Sequence, residues 1–363
     1  MIVSPASVKI KTPAKINLLL HIKGKRLDGY HDIVTVMQAV DLFDELLIEK
    51  ADKLELICTS PDVPSDETNL VYKAAVKLRE FTGTNKGARI NLKKNIPVAA
   101  GLGGGSSDAA AAVSGLNLLW GLGLPEETLR NLGREIGSDV PFFIGGPTAA
   151  GFGRGDELIQ LSNETDYWYL LVNPGIMIST AWVYSQVDIS ADNVRCNRLP
   201  LESDNWIGPM VTVMPQLTVE NCHPELVSGS QTLRSRNKFG MTGDPSSPRG
   251  YQVQPNLELT KEYVHIKIFL PDGLRLDGNK IWLFPYNDLE GVVIRRYPVI
   301  NKIKDQMVAN GAMCALMSGS GSSVFGIFRD RDSVERAGRT MQHDEWRTWI
   351  VKALHSSPYH IVS

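Results

Sequence analysis

The sequence is poor in the patterns that mark several large classes of protein. Its 363 residues hold four cysteines, Cys58, Cys196, Cys222 and Cys314. They are scattered without the spacing of a metal site or a disulfide framework, so free thiols in a reducing compartment are expected. No apolar run approaches the roughly eighteen residues of a membrane span. The opening Met1-Ile2-Val3-Ser4-Pro5 lacks a charged-then-apolar leader pattern. A cytoplasmic protein with no membrane partner is expected. A basic excess is also missing: 38 Lys and Arg face 40 Asp and Glu, a formal net charge of −2, which argues against a nucleic-acid partner. Apolar residues are not scarce. At 43% of this length they suffice for two domains with a substantial core.

What the chain has in abundance is glycine at one place. Pro97-Val98-Ala99-Ala100-Gly101-Leu102-Gly103-Gly104-Gly105-Ser106-Ser107 runs straight into Asp108-Ala109-Ala110-Ala111-Ala112-Val113. Glycines let a backbone approach an anion closely, and the helix that follows offers unpaired N–H groups and the positive end of its dipole. The pattern reads as a cradle for a nucleotide triphosphate. It is not a Walker loop, since no Lys precedes the serine pair, and it lacks the third glycine and the acid of a dinucleotide fingerprint. The competing reading is a ligand-free turn capped by Ser106 or Ser107. Asp108, in the first helical turn, reads as a capping or outward-facing residue.

Other residues stand out by type and spacing. Residues 8–22 read as an edge strand around Pro13, on which Lys15 and Asn17, two apart, share a face. Asp28-Gly29 marks a turn before Tyr30-His31, an aromatic and an imidazole suited to a base. Asp139 lies among Val140, Pro141, Phe142 and Phe143, and a carboxylate there needs a partner. Lys15 is the candidate, with an N-cap role as the alternative. Helices are expected over 107–120, from Pro125 to near Gly137, and over 298–310, with a hairpin in 264–284 around Pro271-Asp272-Gly273. Ser318-Gly319-Ser320-Gly321-Ser322-Ser323 forms a second glycine loop between two strand-like runs. The stretch 213–254, rich in Pro, Gly and Ser without periodicity, reads as a mobile insertion.

Three of these stretches together resemble the GHMP small-molecule kinases: Pro13-Ala14-Lys15-Ile16-Asn17-Leu18, the loop at 97–107, and Ser318–Phe325. The resemblance extends to Asp28-Gly29-Tyr30-His31, Gly137–Phe143 and Asn287-Asp288-Leu289-Glu290. It covers most of 8–190 and 283–330, and the chain departs from it over about 191–280. It implies an α/β (α+β) fold of two domains, 1–165 and 166–363, with the active site in the cleft between them. It implies ATP with Mg2+ as cofactors, the loop at 97–107 as the ATP site, and Lys15 with Asp139 as the catalytic pair. Ser106 or Ser107 is the candidate oxygen donor to the ion, and no other metal ligand is assigned. Within the family the likeness is to members whose small-molecule substrate carries a cytidine diphosphate group. That assigns the substrate to Asn17, Tyr30, His31 and Tyr184, with Tyr184 closing on the cytosine opposite Tyr30.

Overall fold

A computed structural model describes residues 5–163, 166–187, 210–213, 274–277, 280–283, 285–356 and 360–362. All belong to the unit formed by 1–213 and 271–363; 214–270, and with them most of the expected insertion, lie outside the described residues. The elements are β1 (Ser7–Lys25), β2 (His31–Ala51), β3 (Leu54–Cys58), α1 (Leu70–Thr82), β4 (Gly87–Lys93), α2 (Gly104–Trp120), α3 (Glu126–Ile136), α4 (Val140–Gly145), β5 (Thr148–Phe152) and β6 (Glu157–Asn163). They continue as β7 (Trp168–Asn173), α5 (Thr180–Ser185), β8 (Met210–Val213), β9 (Leu274–Asp277), β10 (Lys280–Leu283), β11 (Tyr286–Asn287), α6 (Glu290–Arg296) and α7 (Val299–Ala309). The last are β12 (Cys314–Met317), β13 (Val324–Phe328), α8 (Arg331–Thr340), β14 (Arg347–Lys352) and β15 (His360–Val362).

The strands form two sheets. The larger follows β11-β1-β2-β5-β6-β8-β10-β9, with β15 also on β1 and β4, carrying β3, on β2. The smaller runs β12-β13-β7-β14 and is antiparallel throughout. Alternation along each strand sends side chains to opposite faces and so builds layers. On β7, Tyr169 and Leu171 pack between the sheets with Ile16, Leu18, Val34 and Phe325, whereas Leu170 and Val172 join Val293, Ile303 and Met307 of α6 and α7 beneath the small sheet. The far face of the large sheet packs through Ile10, Leu46, Ile48 and Ile90 onto the alanine-rich α2 and its neighbours Leu78 and Phe142.

Pro13 sits at a register shift between β1 and β2, where a missing N–H costs least. The strand around it is not the free edge expected: β15 pairs with Lys9–Lys11, and β11 with Leu19 and Leu20. The hairpin expected around Pro271-Asp272-Gly273 centres on residues outside the described ones; among the described residues β9 and β10 pair antiparallel, from Leu274 with Leu283 to Asp277 with Lys280.

Candidate active site

The glycine stretch leads from β4 into α2, and its shape depends on glycine. Gly101 and Gly103 hold φ of 75° and 69°, in the left-handed region that favours glycine. A Cβ on Gly101 would lie 2.0 Å from the Ser318 carbonyl oxygen, and one on Gly103 would meet the Lys15 side chain at 2.9 Å. Helix α2 begins at Gly104, earlier than expected, so neither serine caps it; Gly103 is the N-cap residue and no side chain closes the first turn. Ser107 Oγ is buried with no hydrogen-bond partner. Open first-turn amides, a buried unpaired hydroxyl and a backbone clear of side chains fit a polyphosphate. Among the described residues no group of three or more His, Cys, Asp or Glu side chains could hold a metal ion.

The loop is fastened to both sheets. The Lys15 amide donates to Leu102 O at 2.9 Å and the Ser323 amide to Ala100 O at 3.1 Å. Ser318 Oγ donates to Gly101 O at 2.9 Å. The second glycine loop, 318–323, is thereby laid against the first. Asn287 fixes it from behind, its Nδ2 donating to Met317 O at 2.8 Å and Gly319 O at 2.7 Å.

Lys15 projects into this seam with its side chain 6% exposed, and its Nζ lies 3.3 Å from Asp139 Oδ2. It also donates to Asn17 Oδ1 at 2.5 Å, while Asn17 Nδ2 donates to Thr35 Oγ1 at 2.8 Å. The shared face expected for Lys15 and Asn17 is therefore real, and Asn17 aims the ammonium. Asp139 occupies the N-cap position of α4 yet makes no side-chain cap hydrogen bond. Its carboxylate, 34% exposed, instead faces Lys15 and solvent, and so is open to a ligand.

Beyond this pair lies an aromatic group. The His31 and Tyr184 rings approach to 5.1 Å between centroids at 37°. Tyr30 projects outward, 52% exposed, with the Arg154 guanidinium 4.5 Å from its ring centroid. Among the described residues the ring partner of Tyr184 is thus His31. Burial, then the Lys25 charge, lowers the His31 pKa below its ordinary value, leaving a neutral imidazole near pH 7 with one donor and one acceptor. Burial and, secondarily, the Asp139 charge raise the pKa of the Tyr184 hydroxyl, which links the aromatic group to the carboxylate. Helix α5, bearing Tyr184, is capped by Ser179 Oγ and tied to the second glycine loop by Thr180 Oγ1 and Ser320 Oγ at 2.7 Å.

One expectation is overturned here. Asp108 neither caps α2 nor faces outward: it is 1% exposed, accepting from Thr12 Oγ1 at 2.7 Å and from Lys94 Nζ at 2.7 Å. Lys94 also pairs with buried Asp44, whose other oxygen accepts the Asn95 and Ile96 amides at 2.5 and 2.8 Å. Sequence reasoning missed this cluster because its partners are far apart in the chain. The helix-dipole argument for Asp108 weighs less than a buried ammonium within hydrogen-bond reach.

A profile described as "GHMP kinases N terminal domain" matches residues 69–147, and one described as "GHMP kinases C terminal" matches 276–347. The chain is similar to the 4-diphosphocytidyl-2-C-methyl-D-erythritol kinase of Geobacter sulfurreducens, at 34% identity over 95% of this chain and 98% of that one. It is similar to the enzyme of the same name from Pelobacter propionicus, at 37% identity over 91% and 93%. Among solved structures, a 4-(cytidine 5'-diphospho)-2C-methyl-D-erythritol kinase superposes with a TM-score of 0.61 at 28% identity, covering 95% of this chain and 98% of the other.

Proposed function

This chain belongs to the GHMP kinase family, and from that premise we propose that it transfers the γ-phosphoryl group of ATP to the 2-hydroxyl of 4-diphosphocytidyl-2-C-methyl-D-erythritol, a step toward isoprenoid precursors by the non-mevalonate route. The observation that carries the reading is the Lys15–Asp139 pair at 3.3 Å, attached to the glycine loop through the Lys15 amide. Phosphoryl transfer asks a protein chiefly for positioning and charge stabilisation. The loop at 97–107 binds the nucleotide phosphates through its amides. Asp139 takes the proton of the acceptor hydroxyl, or orients that hydroxyl, as its oxygen forms the new bond to phosphorus and ADP leaves. Lys15, aimed by Asn17, balances the charge that develops on the transferred group. Magnesium bound with the nucleotide would neutralise phosphate charge, and the Ser106 and Ser107 hydroxyls are the protein oxygens at hand for it. Tyr30, His31 and Tyr184 select the cytidine end, a reading supported by the cytidylated substrate for which the relatives are named.

Asp139→Asn tests the chemistry. It should lower kcat by about a hundred- to ten-thousand-fold, the range of a lost general base, while the Kd for ATP stays within about two-fold of wild type. A parallel loss of ATP affinity would contradict the role given to Asp139.

A further inference from the structure

Arg154 has a place in the fold that neither the three kinase motifs nor the catalytic pair explains. It stands at the tip of the β5–β6 hairpin between Gly153 and Gly155, whose φ values of 62° and 92° lie in the left-handed region that glycine tolerates best. That turn is closed by the Gly155 amide on Phe152 O at 2.8 Å. It is fastened to the strand behind Tyr30-His31 by the Ile33 amide on Gly153 O, also at 2.8 Å. From it the guanidinium reaches over the Tyr30 ring, 4.5 Å from the centroid. Its Nη2 donates to Arg134 O at 3.4 Å, its Nε lies 3.8 Å from Asp156 Oδ2, and that buried Nε makes no hydrogen bond. Tyr30 needs such a neighbour. Its backbone is held, since its amide donates to Asp28 Oδ1 at 3.1 Å and its carbonyl accepts from the Arg26 amide at 2.8 Å. Its ring is half exposed, and among the described residues Arg154 is the ring's cation–π partner.

We infer that Arg154 is a positioning residue for substrate specificity: stacked on one face of Tyr30, it fixes the ring so that the other face receives the pyrimidine. The inference rests on the cytidine reading given above. A guanidinium plane lies flat on an aromatic face and keeps its donors for partners at the rim. The short hairpin gives it a fixed anchor on a neighbouring strand. An aromatic ring held in one orientation loses less rotamer freedom on binding than a free one, so the gain appears in affinity.

The test uses cytidine 5'-diphosphate as probe, with its binding followed by calorimetry on the full chain for wild type, Arg154→Ala, Tyr30→Ala and the double variant, and ATP binding measured beside it. Arg154→Ala should weaken the probe roughly three- to thirty-fold, the span of a cation–π contact, and raise the KM of the cytidylated substrate alike, with ATP affinity unchanged. Because the arginine acts through the ring, the double variant should bind the probe no more weakly than Tyr30→Ala. If Arg154→Ala binds the probe as wild type does while Tyr30→Ala does not, the positioning role is overturned and the cytidine site stands. Losses that add in the double variant would equally overturn it, showing that the arginine acts apart from Tyr30. If Tyr30→Ala also leaves the probe untouched, the cytidine reading falls and this inference with it.

Discussion

Lys15 and Asp139 differ in burial, and that difference predicts how each responds to substitution. The Lys15 side chain is 6% exposed, donates to Asn17 and forms an ion pair with Asp139, whereas a third of the Asp139 carboxylate meets solvent. Lys15→Met keeps the apolar stem and removes the charge, so Asn17 Oδ1 loses a buried donor. Turnover should fall by about a hundred-fold or more, and denaturant titration should show a loss of about 1–3 kcal/mol for the unsatisfied acceptor. For His31 the relevant variable is pH. Its pKa lies below the ordinary value, so the neutral ring persists as the pH falls through about 6.5. The substrate KM should stay level down to that pH and rise only below it, measured at saturating ATP. A KM that already climbs between pH 7.5 and 6.5 would contradict a neutral His31. Lys15, Asn17, Tyr30-His31 and Asp139 stand out in the sequence by residue type, and the family resemblance is what joins Lys15 to Asp139 as a catalytic pair. The ring contact between His31 and Tyr184 was not legible, since it depends on packing between β2 and α5 that no spacing encodes.

Loops and helix starts show the same logic at the next scale. In the first glycine loop the glycines are not equivalent. Gly101→Ala would set a methyl 2.0 Å from Ser318 O at a φ of 75°, while a Cβ on Gly105, already helical, meets only Leu70 Cδ1 at 3.6 Å. Thermal denaturation should place Gly101→Ala well below wild type, by more than the ~1 kcal/mol of a left-handed alanine alone, and Gly105→Ala level with it or higher. Beneath the loop, burial pushes Asp108 up to about 7, against the pull of Lys94 and with Asp44 adding to it. A folded-state value above the unfolded 3.8 means that folding favours the protonated form. The stability Asp108 contributes is therefore fullest below about pH 4 and is lost as pH rises toward 7. Asp108→Asn should remove that slope, so that its stability relative to wild type grows between pH 4 and 7 in urea titrations. Asp108→Ala, which strips a partner from buried Lys94, should cost about 3–5 kcal/mol. Both glycine loops and the starts of α3 and α7 could be read from local residue order, but the start of α2 at Gly104 could not. The buried cluster could not, because Thr12 and Lys94 meet Asp108 and Asp44 across 96 and 50 positions of chain.

In the whole molecule, two sheets share a layer of apolar side chains, and the polar site lies along their seam. Lys15 and Asn17 come from the large sheet, and the loop at 318–323 from the small one. Asn287-Asp288-Leu289-Glu290 clasps them together. Asn287 holds the second loop. Asp288 accepts the Ile22 amide at 2.6 Å and pairs with His21 Nδ1 at 2.9 Å on β1. Glu290 accepts the Met317 amide at 2.8 Å. Asn287→Ala should therefore lower kcat through misplacement of the loop while leaving the cytidine end intact, a fall in turnover with little change in substrate KM. The mixed α/β architecture was implied by the family resemblance, and periodicity by itself could not show its topology. The seam itself required the tertiary pairing of β1 with β11, which two residues of chain cannot announce. The identity of the acceptor proposed to be phosphorylated at this seam is open to measurement. Its most direct test is ADP release by the purified protein with magnesium-ATP, offered 4-diphosphocytidyl-2-C-methyl-D-erythritol, homoserine and mevalonate in parallel. Turnover with the cytidylated substrate alone is the predicted result; turnover with either of the others in its place, or silence with all three despite ATP binding, would contradict it.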